Sequence, residues 1–307
     1  MRCEDLTCSP RASCRRWARR VRRVLGASPM AGLLAMALLR VDAVPLLPAL
    51  RSELMALLGA LETSDWQAPT SCPGWSVHAV ACHLLGVEAA NVSARRDDWK
   101  IIPKPGEDAD KWLDTFNEEW VEAAKRLSPA VVVDLLSLAG RRFEEYVATL
   151  DMDAVGGPVG WATGTGPAPA WLDVAREYME RFVHQYQIRE AVGKPALGPY
   201  FIAPALATAV HCLPKALSGL DRPPGTSVLF VAEGDGGGAW NVLRTADRWE
   251  LATTSPAAPA CEVRTSVDGA LKLFVRDANV PSLNWRGDRE LASAVERAKA
   301  VLGSPGM

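Results

Sequence analysis

Up to about Pro199 the apolar residues of this chain recur at helical spacing, and beyond it they fall into short β-prone runs between turn residues. A chain with that switch has to place a helical layer first and a sheet-containing layer second, because each element buries its apolar side against a neighbour of its own stretch. The helical stretch is punctuated clearly. "LLPALRSELMALLGALE" sets Leu50, Leu54, Leu57, Leu58 and Leu61 on one face, with Pro48 tolerated in a first turn. "TSDWQAPTSCPGW" gathers Pro69, Pro73 and Gly74 into a loop, and Ser76 caps a second helix running to about Ala94. A third carries Trp112, Phe116 and Trp120 four apart. Ser128 and Pro129 open a fourth, with Val131, Leu135, Leu138 and Phe143 expected as its apolar stripe. "DMDAVGGPVGWATGTGPAP" reads as a loop whose Gly and Pro density precludes a helix. "AWLDVAREYMERFVHQYQIREAVG" is then the longest clean helical stretch, stopped by Gly193 and Pro195.

Residues 41–196 therefore read as a helical bundle. Residues 197–307 read as a small α+β domain. In it "GTSVLFVAEG", "GAWNVLRTADRWELATT" and "ACEVRTSV" form an antiparallel meander flanked by helices at "APALATAVHCLPKALSG" and "DRELASAVERAKAVLG". Residues 1–40 stand apart. Eight arginines crowd Met1–Arg23, and the apolar run Met30–Leu39 is too short to span a bilayer and lacks a cleavage site. The expectation is a basic extension that is disordered or a mis-called gene start, with Met30 as the initiator.

Charge and cysteine content narrow the function. Thirty-four Lys and Arg against 36 Asp and Glu give a net charge of -2, which offers no overall electrostatic fit to nucleic acid. Seven cysteines occur without a C-x-x-C pair, so neither a disulfide framework nor a zinc ribbon is expected, and the cytoplasm is the expected compartment. "GTGPAP" and "EGDGGGAW" lack the context of a nucleotide loop, and no G-x-S-x-G elbow is present. The tryptophans at 66, 75, 112, 120 and 171 are read as packing residues.

Two histidines fall on inward faces. His83 shares a helical stripe with Val80, Leu84 and Val87, where an imidazole must be satisfied either by a hydrogen bond in the core or by a metal. Glu180 and His184 lie four apart on the longest helix, which stacks a carboxylate and an imidazole on one side. That spacing also arises as a common solvated pair. Taken together, His83, Glu180 and His184 make a His₂Glu set suited to a divalent cation such as zinc, with a fourth position open to water or substrate. Cys72 is read as a structural thiol, Cys82 as pointing to another helix face, and His78 and His211 as ordinary.

"APTSCPGWSVHAVACHLLG" and "REYMERFVHQYQIREAVGKP" together resemble the mycothiol-dependent maleylpyruvate isomerase family, part of the DinB-like group of helical metalloproteins. The resemblance covers essentially Val41–Gly303, with "NWRGDRELASAVERAK" similar to the closing helix of an appended sterol-carrier-like domain. It implies an α+β fold, a DinB-like four-helix bundle followed by a small sterol-carrier-like domain. It also implies that His83, Glu180 and His184 are the metal triad, through which they act in catalysis. The implied partners are mycothiol, or a related small thiol, and a small electrophile that is isomerised or accepts the thiol by S-transfer; nucleic acid and membranes are not among them, and a monomer is compatible with the sequence. The chain departs from the family at Gln187, where many relatives carry an acid three residues after the second histidine, so that any charge or proton relay placed there is missing. The rival expectation is a non-catalytic, metal-containing bundle with a ligand- or partner-binding C-terminal domain.

Overall fold

The structure, a computed structural model, describes residues 39–300 apart from 165, 254–257 and 276–279. The expectations for residues 1–38 lie outside the described residues.

Four long helices form a closed bundle: α1 (Leu47–Gly59), α2 (Val77–Asn91), α4 (Pro129–Val147) and α5 (Ala170–Ala191). Each packs on two others in the ring α1, α4, α2, α5, and α3 (Ala109–Ala124) lies outside against α2. The helix starts expected at Ser76 and Ser128 are capped, and α3 is capped as well. Ser76 accepts from the amide of Ala79, Asp108 from Lys111 and Ser128 from Val131. Gly193 takes φ +63 just past the end of α5, a left-handed cap conformation that glycine adopts at no steric cost. Helix α2 is the central element, since every residue from Val77 to Leu85 is buried. It ends in a π-turn, Val92–Arg96, that swings Arg95 towards α5.

The apolar stripe of α4 is one residue away from the expected one. Val132, Leu136, Gly140, Phe143 and Val147 face inward, while Val131, Leu135 and Leu138 are 42, 40 and 46% exposed. Gly140 explains the misreading: a Cβ there would lie 2.6 Å from the Arg51 side chain, so the inward stripe needs a glycine that carries no apolar signal. The Gly/Pro-rich stretch also differs from the expected loop. It forms a small hairpin, β1 (Val155–Pro158) with β2 (Pro167–Pro169), around one helical turn at Gly160–Thr163.

Beyond α6 (Pro199–Ala209) a five-stranded sheet follows in the order β5-β4-β3-β6-β7, with β3 Ser227–Glu233, β4 Gly238–Arg244, β5 Trp249–Ala252, β6 Cys261–Ser266 and β7 Asn284–Gly287. It is not the simple meander expected. β3, β4 and β5 are antiparallel, but β6 returns to the open edge of β3 and pairs with it in parallel, Val228 opposite Cys261. Nothing in "SPAAP" distinguishes such a return from a further hairpin. Helices α7 (Val267–Val275), not foreseen, and α8 (Arg289–Glu296) pack against β6. The stretch Pro199–Leu217 is long and apolar enough to cross a bilayer by length and composition, with mean hydropathy 1.2, yet 61% of it is buried inside the fold, as a core helix is.

One buried cluster joins Phe143, Tyr178 and Phe182 of the bundle to Phe230, Trp240 and Phe274 around the sheet. A second fills the far end of the bundle with Leu54, Leu58, Val80, Leu84, Val132 and Leu136. α5 is tied to the sheet half by Tyr186 donating to Asp268 and by Lys272 pairing with Glu190.

Candidate metal centre

Helix α5 presents Glu180 and His184 one turn apart, and α2 brings His83 to the same point from the facing side. His83 Nε2 lies 3.2 Å and His184 Nε2 3.1 Å from the same carboxylate oxygen, Glu180 Oε1, and the two imidazole rings meet edge to face at 4.8 Å. The three ligand atoms all lie within 4.8 Å of one another. A tetrahedral zinc with ligands at ~2.0–2.1 Å needs ligand atoms about 3.3 Å apart. Two of the three separations already have that length, so the donor set fits such an ion with little adjustment.

Burial and charge act strongly on the cluster. Burial lowers the pKa of His83 and favours its neutral imidazole, although the hydrogen bond it donates to Glu180 opposes this. Burial works against the Glu180 carboxylate, but His184 and His83 outweigh it and hold its pKa well below the usual range. Burial also opposes charge on His184, and Glu180 overrides it, raising that pKa well above the ordinary value. Without a cation the carboxylate is thus ionised and shares the hydrogens of its neighbours. With one, the same three groups supply two neutral nitrogens and one negative oxygen.

The loop before α2 lies against both imidazoles. The Trp75 ring packs on His83 at 4.9 Å and its indole nitrogen donates to Glu118 Oε2 at 3.0 Å. Cys72 sits beside His184, its Sγ 4.0 Å from Nδ1, and Gln187 Oε1 lies 2.8 Å from that nitrogen. Trp75 and Cys72, read from sequence as packing and structural residues, therefore belong to the surroundings of the cluster. The contact of Cys72 with a helix over a hundred residues away leaves no signal in "TSCPGW", and the packing of Trp75 on His83 appears only once α2 is folded against the loop. Cys82, in contrast, points away, 3.8 Å from His78 Nε2, with its thiol pushed up to about 11 by burial. His211 is satisfied by the carbonyl of Leu39 at 2.8 Å.

Behind the cluster, α5 carries a buried ionic network. Arg181 makes a two-pronged contact to Glu88 on α2, both bonds at 2.7 Å, and reaches Glu177 Oε2 at 2.8 Å. Arg95 grips Asp173 with bonds of 2.7 and 2.9 Å and Glu177 at 3.2 Å. Desolvated carboxylates gripped this way fix how far α2 and α5 can slide, and so fix where His83 meets Glu180.

A four-helix bundle whose facing helices converge two histidines and a glutamate on one point has a donor set that could hold a divalent cation. Residues 47–189 match the family model of the mycothiol maleylpyruvate isomerase N-terminal domain, so the bundle resembles that family. Two solved structures are similar over most of the chain. One is a crystal structure of the mycothiol-dependent maleylpyruvate isomerase, at 11% identity and a TM-score of 0.49, and the other a histidine-to-alanine mutant of it, at 12% and 0.48. Each alignment covers 79% of this chain and 92% of the other. No curated protein sequence matches the chain.

Proposed function

We propose that His83, Glu180 and His184 hold a divalent cation, zinc by ligand preference, and that the protein is a mycothiol-dependent, maleylpyruvate isomerase-like isomerase or S-transferase of the cytoplasm. The observation that carries this is the convergence of both imidazole Nε2 atoms on one oxygen of Glu180. A cation held there supplies Lewis acidity, which favours loss of the proton from a small thiol reaching its open position. The chain's own part is binding and geometry. Glu180 contributes the single negative charge of the set, His83 and His184 contribute neutral nitrogens, and Trp75 covers the His83 ring against water. With a cis-alkene such as maleylpyruvate, thiol addition across the double bond, rotation about the resulting single bond and elimination return the thiol and give the trans isomer. With a substrate bearing a leaving group the same attack ends in S-transfer. Free, buried Cys72, Cys82, Cys212 and Cys261 support a reducing compartment.

The test is turnover of maleylpyruvate, then of an epoxide and a halogenated aromatic, with mycothiol and zinc-loaded protein. Thiol-dependent turnover that falls at least about a hundredfold in Glu180→Gln under excess zinc supports the reading. A fully loaded protein silent towards all three with mycothiol or another small thiol would favour the metal-containing binding module.

A further inference from the structure

Gln187 carries no charge three residues after His184, and its surroundings show what the neutral amide does there. The side-chain oxygen of Gln187 is met by two groups, His184 Nδ1 at 2.8 Å and Cys72 Sγ at 3.1 Å. Both Gln187 and Cys72 are buried, each 8% exposed. A thiol is a donor and an amide oxygen has two lone pairs, so the pair of contacts is satisfied when both neighbours donate. His184 then carries a hydrogen on Nδ1, so that once Nε2 gives up the hydrogen it shares with Glu180, the lone pair at Nε2 is the one aimed at the cation position. The thiol lies on the Nδ1 side of the ring, opposite the cation position, and so does not compete as a ligand.

The loop that delivers Cys72 is closed on itself. Thr70 Oγ1 donates to the Trp75 carbonyl at 2.8 Å and accepts from the Cys72 amide at 3.2 Å, and the Trp75 amide donates to the Cys72 carbonyl at 3.0 Å. Gly74, at φ +78, makes the reversal that a side chain would strain. The bridge between Pro69 and Ser76 fastens the loop to the start of α2. One rigid turn thereby sets Trp75 on the first imidazole and Cys72 behind the second.

We propose that Gln187, held in place by the Cys72 thiol, is the positioning residue for His184, fixing the tautomer and aim of this ligand without a charge. This rests on the metal-binding reading above. A group that receives the outer N–H of a metal-bound histidine typically contributes 10–100-fold in metal affinity.

The experiment combines zinc titration against a competing chelator with ¹⁵N–¹H spectra of the histidine side chains, in the wild type, Gln187→Leu, Gln187→Glu and Cys72→Ala. Gln187→Leu is expected to weaken zinc binding roughly 10–100-fold and to lose the protected Nδ1–H signal of His184. Gln187→Glu keeps the acceptor and is expected to bind zinc at least as tightly as wild type with the signal retained. Cys72→Ala is expected to weaken binding less than Gln187→Leu, and to add nothing in a Gln187→Leu background, because the thiol acts through the amide. Wild-type affinity and an unchanged Nδ1–H signal in Gln187→Leu would overturn the proposal. If that variant does not fold, a weakened affinity in folded Gln187→Glu would overturn it as well. Should the wild type bind no zinc, the metal reading fails, and the Nδ1–H signal in metal-free wild type and Gln187 variants still decides whether this hydrogen bond sets the tautomer.

Discussion

Among the described residues, the helical half buries six acidic, basic or histidine side chains, His78, His83, Glu88, Asp173, Glu177 and Arg181, whereas those buried beyond Pro199 include none of these types and are polar only through Thr208, Ser227, Asn241 and Thr265, besides thiols. Both halves share a continuous apolar cluster, so the difference is not one of core size. Buried charge seldom adds net stability, because desolvation offsets the attraction between partners. Its concentration between α2 and α5 indicates that these two helices are built to hold groups in fixed positions, while the sheet half is held by shape and apolar area.

The largest effect should come from breaking the ionic network without changing volume. Arg181→Met leaves Glu88 buried without its partner, while Glu177 keeps Arg95 and Arg176, and should cost about 4 kcal/mol in urea unfolding. A loss below about 1 kcal/mol would show that the network is solvated in solution. The matching perturbation in the sheet half is Leu291→Ala on α8, where a fully buried side chain is truncated, at about 3 kcal/mol. It should leave zinc affinity unchanged. A shared loss of affinity would mean that the two halves are coupled at the site rather than merely packed together.

A pH test sharpens the contrast next. Burial raises the pKa of Asp173, but the hydrogen bond and charge of Arg95, with Arg176, outweigh it and lower the value from 3.8 to about 2. A depressed carboxylate contributes stability that is present above its unfolded value and lost as pH falls through the folded one. The stability gap between wild type and Asp173→Asn should therefore include about 2 kcal/mol at pH 6 that disappears between pH ~4 and ~2. A gap independent of pH would contradict the ion pairing. The smallest effect is expected on α4, where Leu138→Gln, on the exposed stripe, should change stability by no more than about 0.5 kcal/mol. The same change at Leu136, 2% exposed, should be severe.

These variants also mark what was legible in the sequence. The helices of the bundle announce themselves through Ser76, Ser128, Pro129 and Gly193, because caps and breakers act locally. The inward stripe of α4 does not, since it includes Gly140, whose place is set by Arg51 on another helix. The parallel pairing of β6 with β3 depends on which sheet edge is free, a property of the assembled sheet. His83, Glu180 and His184 were readable as a set because few histidines fall on inward faces. Cys72 was not, because its contacts to His184 and Gln187 join a loop to a helix more than a hundred residues away, and Trp75, near His83 in sequence, was read only as packing; Gln187 stood out as a departure from the family, but its contact with Cys72 did not.

The most direct measurement is zinc content and affinity in wild type, His83→Ala and His184→Ala, by elemental analysis of dialysed protein and titration under identical conditions. About one zinc per chain is expected for wild type, with occupancy sharply reduced in each variant because each removes one of three protein ligands contributed from two facing helices. Equal zinc content in wild type and both variants, or no zinc bound by folded wild type, would contradict the assignment of His83, Glu180 and His184 as a metal centre.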